Sequence, residues 1–309
     1  MRHGGYPQYP QNILRQRLLL KSLRTLCDTD SLLAFCYALA MILVISSKDS
    51  YAAKRLLEEA KLAETGLKIV GADELRGINV DDFNSLYIRD VYVNQKPRFL
   101  AEVISLAKNF RALQKKVVDA NVANGHIGQG KWVMYQKLVK AGLPIPKTQP
   151  LTSKNLQLTY PVIVKWIYGF KAQHTYLVDN VTKLKNLQKK YPKKELLVQK
   201  FIQADCEYKF ITIGYKSLPV ALKFKTNDSK FKINFSSGQK VAIGQLPSKL
   251  VKLAERASRV LGRQLAKVDI LEYRGQFYIL EANRFPGLES FEKITKYNVT
   301  KEFLKYLSR

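Results

Sequence analysis

The sequence predicts a mixed α/β fold in which a small parallel α/β unit precedes antiparallel strands. Short apolar runs alternate with amphipathic segments between residues 41 and 121, a pattern typical of β–α units around a parallel sheet. Two further apolar runs, separated by Arg274 and Gly275, predict a hairpin near the carboxyl end. The 309 residues are 46% hydrophobic and 25% charged, which is an ordinary globular composition with room for two domains.

The net charge of +27 indicates an anionic partner, such as a nucleotide, an acidic peptide, RNA or a ribosomal surface. Charge alone does not choose among these partners. Cys27, Cys36 and Cys206 lie far apart and form no C-x-x-C motif. We therefore expect no disulfide framework and no zinc site, as in a protein of the reducing cytoplasm.

Residues 1–40 form an amino-terminal extension, which we interpret as a dispensable arm or a start-site artefact with Met41 as the natural start. The apolar run 32–46 has fifteen residues, fewer than the roughly 20 that cross a bilayer, so membrane anchoring is the weakest of our hypotheses. We predict a buried strand at 41–46 and a helix at 50–66. Ser50 would cap this helix, and its inner face would carry Leu56, Leu57, Ala60 and Ala63.

Further strands are predicted at 67–70, 85–91, 160–166, 196–202, 219–225 and 231–238, and helices at 99–115, 130–141 and 184–194. Residues 248–262 carry one apolar stripe and predict a helix capped by Ser248 and ended by Gly262. No G-x-G-x-x-G follows the first strand, which argues against a dinucleotide site there.

Three oxygen-bearing side chains interrupt the apolar hairpin: Asp269, Glu281 and Asn283. Buried acids are costly unless a cation offsets them, and this set of hard oxygen donors suits Mg²⁺. Glu281 and Asn283 share a strand face, and Asp269 joins them only if the loop is odd in length. We therefore predict a three-residue loop, 274–276, with Gly275 near the left-handed region. The alternative is that the acids lie on an edge strand and face water.

The segments V-D-I-L and L-E-A-N-R-F-P-G-L-E-S-F-E-K resemble the end of the ATP-grasp domain of RimK-like ligases. The block G-K-W-x-x-x-x-K-L-x-x-A-G-L-P-I-P-K-T resembles the start of that domain. The resemblance is close over 131–299 and loose over 41–121. It implies a pre-ATP-grasp domain at 41–121 and a two-lobed ATP-grasp domain at 122–309, with antiparallel sheets in lobes 122–203 and 204–309.

The resemblance also implies roles for individual residues. Metal ligands would be Asp269, Glu281 and Asn283, and the nucleotide would contact Lys131, Lys165, Gly169, Lys200, Phe201, Ile202 and Glu207. In the family the hinge at 200–202 lies against adenine, and Glu207 would bind a ribose hydroxyl. Lys232 and Asn234 stand in an F-R-x-N pattern that contacts phosphate and the metal region, so we assign them as catalytic. Lys165 also follows from its own surroundings, since a lysine in an apolar strand needs an anion. For Lys131, a solvated lysine at a helix start remains an equal alternative.

Seven positions depart from the family pattern. Lys200 stands where the family often has an acid, Glu207 where it usually has aspartate, and Lys209 where it has arginine. Ala172 and His174 stand where glycines usually cover the phosphates, Lys232 replaces an arginine, and Arg284 replaces a small residue. The implied function is ATP-dependent ligation of a carboxylate to an amine through an acyl phosphate, with ATP and two Mg²⁺ ions, or Mn²⁺, as cofactors. The partners would be an acidic amino acid or peptide carboxylate and an amine, with a ribosomal protein as one candidate. A basic RNA- or ribosome-binding homologue with weak turnover is the alternative.

Overall fold

The computed structural model describes residues 41–89, 91–93, 96–97, 99–119, 121, 130–152, 158–169, 174–191, 195–225, 240–284 and 286–309. The described helices are α1 (Tyr51–Leu62), α2 (Leu100–Ala112), α3 (Lys131–Lys140), α4 (Val181–Lys190), α5 (Ser248–Leu261), α6 (Glu289–Thr295) and α7 (Val299–Ser308). None of these helices combines the length and the apolar character that a membrane span requires.

The amino-terminal sheet is parallel, as the alternation of apolar runs predicts. It has the strand order β2-β1-β3-β6, formed by β1 (Ile42–Ile45), β2 (Leu67–Val70), β3 (Ser85–Ile88) and β6 (Lys116–Val118). The short strands β4 (Tyr92–Val93) and β5 (Lys96–Pro97) pair with each other. All four residues of β1 are buried, because helices cover both faces of a parallel sheet.

Two antiparallel sheets follow. The first has the order β7-β10-β8-β9, from β7 (Thr148–Pro150), β8 (Val162–Trp166), β9 (Thr175–Val178) and β10 (Leu196–Lys200). The second has the order β13-β12-β11-β14-β15, from β11 (Cys206–Ile213), β12 (Lys216–Lys225), β13 (Lys240–Ile243), β14 (Leu265–Tyr273) and β15 (Gln276–Asn283). The predicted mixed α/β architecture is therefore confirmed, with a four-stranded parallel sheet and antiparallel sheets of four and five strands.

The carboxyl-terminal helix α7 returns to the amino-terminal sheet. Its Phe303 packs edge-on against Tyr87 of β3, with ring centroids 4.7 Å apart. One apolar cluster includes residues of β1, α1, β11, β12 and α7. The predicted boundary near residue 121 thus separates two chain segments that share a core.

Some predicted details are wrong. Ser50 caps α1 by accepting a hydrogen bond from the Ala53 amide, as predicted. Leu57 is exposed because it lies on the outward face of α1, and Ala63 is exposed because α1 ends at Leu62. Pro247, and not Ser248, occupies the N-cap position of α5, without a side-chain cap. Gly262 ends α5 with φ of +62°, as predicted.

Candidate nucleotide and metal site

The β14–β15 hairpin brings Asp269 opposite Glu281, but by a different route from the one predicted. The turn has two residues, not three, because Tyr273 pairs with Gln276. Arg274 and Gly275 both have positive φ, +48° and +73°, as a type I′ turn requires. A register shift after the Asp269–Glu281 pair supplies the missing odd residue, because Ile270 pairs with Ile279.

This β-bulge at Leu280 places the polar side chains on one face of the sheet. Asn283 pairs with Lys267 and Ala282 with Val268, so polar and apolar residues alternate correctly beyond the bulge. Asp269 lies on an interior strand and is only 6% exposed, which excludes the edge-acid alternative for this residue. The Glu281 side chain retains 30% of its accessible surface.

Three distant chain segments meet at Glu281. The Lys131 ammonium lies 3.0 Å from Glu281 Oε1 and also donates to the Gly169 carbonyl. Burial acts to raise the pKa of Glu281, but Lys131 and Lys165 outweigh it and lower that pKa below its ordinary value. Burial lowers the pKa of Lys165 to about 8, although Glu281 acts in the opposite direction. Lys131, Lys165, Gly169 and Glu281 therefore form one site.

Tyr135 joins these elements and was missed at the level of sequence. Its hydroxyl accepts a hydrogen bond from Lys165 Nζ at 2.7 Å and donates to the carbonyl of Leu280, at the bulge, at 3.0 Å. Tyr135 lies four residues after Lys131, so both point from one face of α3. The four-residue spacing from Lys131 was the sequence signal that could have identified Tyr135.

The start of α3 fixes Lys131 against the loop that follows β8. The Lys131 amide donates to the carbonyl of Ile167 at 3.0 Å. A Cβ on Gly130 would lie 2.2 Å from Ile167 Cγ2, so only glycine fits at this close approach. The glycine–lysine pair thus has a packing reason as well as a chemical one.

A second charged group lies on the same sheet face. Lys209 Nζ lies 2.7 Å from Glu207 Oε1 and 3.3 Å from Asp269 Oδ2. Burial acts to lower the pKa of Lys209, but Asp269 and Glu207 raise it well above its ordinary value. Burial raises the pKa of Glu207, with Lys209 opposing. Glu207 is 2% exposed, so it lies inside this triad rather than on an open rim.

The donor set fits a hard divalent cation. Asp269 Oδ1 and Glu207 Oε2 are buried oxygens without a hydrogen-bond donor among the described residues, an acceptor surplus that a cation would satisfy. The described residues contain no cluster of three or more His, Cys, Asp or Glu side chains with metal-binding geometry. An Mg²⁺ site here would therefore need the Asn283 amide oxygen, phosphate or water in addition to the carboxylates.

The hinge 200–202 follows β10 directly. The Lys200 amide donates to the Lys147 carbonyl at 2.8 Å, and the Ile202 carbonyl accepts from Ala204 at 2.9 Å. Lys200 is exposed, whereas Phe201 and Ile202 are half-buried. The contact of this hinge with adenine stays a prediction.

His174 closes the loop after β8 in an aromatic cluster. Its Nδ1 lies 3.2 Å from the Tyr176 hydroxyl, which lies 2.7 Å from that of Tyr191. Its φ is +55°, a conformation that glycine adopts more easily. Ala172, Lys232 and Asn234 lie outside the described residues, so the catalytic assignment of Lys232 and Asn234 stays a prediction.

The family model for the RimK-like ATP-grasp domain matches residues 129–307, more than half of the chain. The chain belongs to the RimK-like ATP-grasp family. A probable alpha-L-glutamate ligase of Histophilus somni is 25% identical over 189 residues, which cover 58% of this chain and 63% of that protein. A probable alpha-L-glutamate ligase of Legionella pneumophila is 25% identical over 190 residues, with the same coverage. This chain thus spans less than two-thirds of these relatives.

Solved structures show the same fold. The ATP-grasp ligase PsnB with its minimal precursor superposes with a TM-score of 0.67 at 15% identity, over 87% of this chain and 98% of that chain. A RimK domain ATP-grasp protein of Sphaerobacter thermophilus gives 0.62 at 16% identity, over 87% and 99%. The D-alanine–D-alanine ligase of Bacillus anthracis gives 0.60 at 15% identity, over 87% and 95%.

Proposed function

We propose that this protein is an ATP-dependent carboxylate–amine ligase. The observation that carries the proposal is the meeting of Lys131, Lys165 and Glu281 from three chain segments, with Asp269 across the strand from Glu281. Two ammonium groups facing a pair of carboxylates suit a nucleotide phosphate chain with its magnesium. Family membership supports the same conclusion.

Lys131 and Lys165 would neutralise phosphate charge. Both now compensate the Glu281 carboxylate, and phosphate oxygens would take over that role when nucleotide binds. Glu281 would then be released to serve the cation. Gly169, whose carbonyl contacts Lys131, would hold the covering loop close to the phosphates.

Asp269, Glu281 and Asn283 would hold Mg²⁺ through oxygen atoms of one sheet face. The chemistry that this ion supplies when bound is neutralisation and alignment of phosphate oxygens. Lys209 holds Asp269 and Glu207 in place through its ammonium group. Lys232 and Asn234 would act on the transferring phosphate as the family pattern implies. We propose that two ions bind, as the family resemblance implies.

The nucleoside would lie against the hinge, with adenine between the Lys200 carbonyl, the Ile202 amide and the side chain of Phe201. Glu207 was predicted to bind the ribose. Because its carboxylate is buried against Lys209, we favour a role beside Asp269, and the ribose contact stays a prediction.

In the proposed reaction a substrate carboxylate oxygen attacks the terminal phosphorus of ATP and ADP leaves. An amine then attacks the acyl carbon, phosphate leaves, and the nitrogen loses a proton to complete the amide. The names of the relatives, probable alpha-L-glutamate ligases, and the PsnB complex with a precursor peptide support an amino acid or peptide as substrate. A structure of PsnB with Mg and ADP supports the cofactor choice. A ribosomal-protein tail is one acceptor that this class would include.

Calorimetric titration of the full chain with Mg²⁺–ATP tests the proposal. We expect micromolar binding by the wild type and its loss in Glu281→Ala and Asn283→Ala. Glu289→Ala is the matched control, because Glu289 is an exposed acid of α6 that pairs only with Lys293 among the described residues. ADP release in the presence of acidic amino acids or peptides would then identify the substrate.

A folded wild type that binds no nucleotide would overturn the ligase proposal. An RNA- or ribosome-binding role would then explain the +27 charge better. Binding of that kind weakens steeply with salt and does not need Mg²⁺–ATP.

A further inference from the structure

A buried polar junction lies where the parallel sheet meets the candidate site. Asp119 follows β6, Gln264 precedes β14, and Arg284 follows β15. The Asp119 amide donates to Gln264 Oε1 and the Gln264 amide donates to Asp119 Oδ1, both at 2.6 Å. Arg284 Nε lies 2.8 Å from Asp119 Oδ2. Asp119 is fully buried and has φ of +59°, so its position is tightly determined.

The junction contains a second arginine. Arg263 immediately precedes Gln264, and its Nη1 donates to the thioether of Met134 at 3.7 Å. A thioether is a weak acceptor for a guanidinium. Within the described residues, no carboxylate lies within ion-pair distance of Arg263, whereas Asp119 compensates Arg284.

The positive charge therefore exceeds the negative charge at this place. Burial lowers the pKa of Arg263 to about 10, and Arg284 lowers it further, while Asp119 and Glu281 oppose this effect. Burial and the same two arginines lower the pKa of Lys137 on α3. The linker 122–129, which leads from the junction to α3, contains no acidic residue. A half-buried guanidinium without an anion among the described residues is unfavourable, so the junction is suited to bind an anion.

A purely structural role explains Asp119, Gln264 and Arg284, which join three segments with balanced charge. It does not explain Arg263, whose guanidinium adds positive charge without an ion pair in the part of the chain that the structure describes. The negative charge of Glu281 acts to raise the pKa of Arg263, and Arg284 directly follows Asn283 in the chain. An anion held here would lie beside the predicted metal ligands and apart from the phosphate contacts of Lys131.

We propose that Arg263, with Arg284 beside it, binds the carboxylate of the amine-bearing substrate. This inference rests on the proposed ligase function and narrows the substrate to an acidic amino acid or a peptide end. A guanidinium holds a carboxylate through two parallel hydrogen bonds, and an amide in its place loses that match. The pair therefore determines specificity for a carboxylate over its amide.

The test is calorimetric titration of the full chain with L-glutamate and with L-glutamate diamide, in the presence of Mg²⁺ and a non-hydrolysable ATP analogue. We expect glutamate to bind at least tenfold more tightly than the diamide. Arg263→Gln should weaken glutamate binding at least tenfold and leave the nucleotide Kd within twofold. Arg263→Lys keeps the charge but loses the two parallel hydrogen bonds, so its affinity for glutamate should lie between those of the wild type and Arg263→Gln.

Arg76→Gln is the matched control, because Arg76 is exposed on the amino-terminal unit and its loss changes the net charge equally. Arg284 is tested as the double variant Asp119→Asn with Arg284→Gln, which avoids leaving a buried aspartate alone. It should also weaken glutamate binding.

Wild type that binds no glutamate, or Arg263→Gln that binds it normally, would overturn the proposal. A weaker nucleotide Kd in Arg263→Gln would do so too, since Arg263 would then bind phosphate. Glutamate binding that depends on Arg263 in a chain without affinity for Mg²⁺–ATP would refute the ligase function but keep the anion site.

Discussion

The two faces of the five-stranded sheet are formed by the same strands but carry different kinds of side chain. One face packs against α5 through fully buried apolar residues, among them Phe210, Val268, Ile270 and Ile279. The other face carries Glu207, Lys209, Asp269 and Glu281 near Lys131 of α3. It continues into Ile211 and Leu265, which pack in the apolar cluster shared with α7. Alternation along a strand makes this division possible, and the bulge at Leu280 preserves it on the edge strand.

The difference shows where stability and chemistry are separated. The apolar face gains from burial and close packing. The polar face buries two carboxylates beside the half-buried Lys209, and two of the carboxylate oxygens lack a donor among the described residues. Buried carboxylate oxygens without a donor are unfavourable unless a cation satisfies them, so we expect variants on the two faces to separate stability from binding.

The largest expected effect is on the apolar face. Phe210→Ala removes a fully buried ring and should lower the free energy of unfolding by about 3–5 kcal/mol, because the surrounding side chains close the resulting cavity only in part. Urea unfolding followed by circular dichroism measures this. Below the transition, nucleotide affinity should stay near the wild-type value. A loss under 1 kcal/mol would mean that α5 does not pack tightly on this face.

Asp269→Asn should weaken nucleotide binding and leave stability nearly unchanged, the reverse of Phe210→Ala. The affinity for nucleotide in the presence of Mg²⁺ should fall about 10- to 100-fold, the range found when groups around a metal ion are altered. The free energy of unfolding should change by less than about 1 kcal/mol, since Lys209 keeps Glu207 as its partner while the triad loses surplus negative charge. Titration with and without Mg²⁺ separates the metal effect. Equal losses in both conditions would contradict a metal ligand at Asp269.

Lys165 gives a smaller effect that depends on pH. Because burial lowers its pKa in the folded chain from 10.5 to about 8, the charged form that binds phosphate is lost as pH rises through 8. Nucleotide affinity should fall about fivefold between pH 8 and pH 9. Lys165→Arg keeps its charge, so its affinity should be flat over this range. A wild-type profile that is equally flat would mean that Lys165 does not contact phosphate.

Local patterns predicted the fold class, most elements and the facing of Asp269 and Glu281. The connection between β14 and β15 was not predictable, because a three-residue loop and a two-residue turn with a bulge both place Asp269 and Glu281 on the same face. Arg274-Gly275 carries a weak signal for a type I′ turn, as arginine rarely adopts positive φ. At the bulge, the Leu280 carbonyl accepts a hydrogen bond from Tyr135, a residue 145 positions away that local patterns do not connect with it.

The ion-pair partners of Arg284 and Lys209 could not be predicted from single motifs either. Arg284 was recognised as a departure from the family, but its partner Asp119 lies on another sheet. Lys209 was recognised as a substitution, and only the register of β11 with β14 places it opposite Asp269. Contacts between distant strands depend on topology, which local periodicity does not specify.

The smallest predicted effect lies at the hairpin turn, where neither face is involved. Arg274 has φ of +48° and its amide donates to Asp205 at 2.7 Å. Asparagine adopts the left-handed region more readily, so Arg274→Asn should raise the free energy of unfolding by less than about 1 kcal/mol. Thermal unfolding monitors the gain, and Arg274→Val is the opposing control, because a β-branched residue is strained there. Nucleotide affinity should not change in either variant, since a turn that only connects the strands can alter stability without reaching the polar face; a change in affinity would mean that the turn controls the register of Glu281.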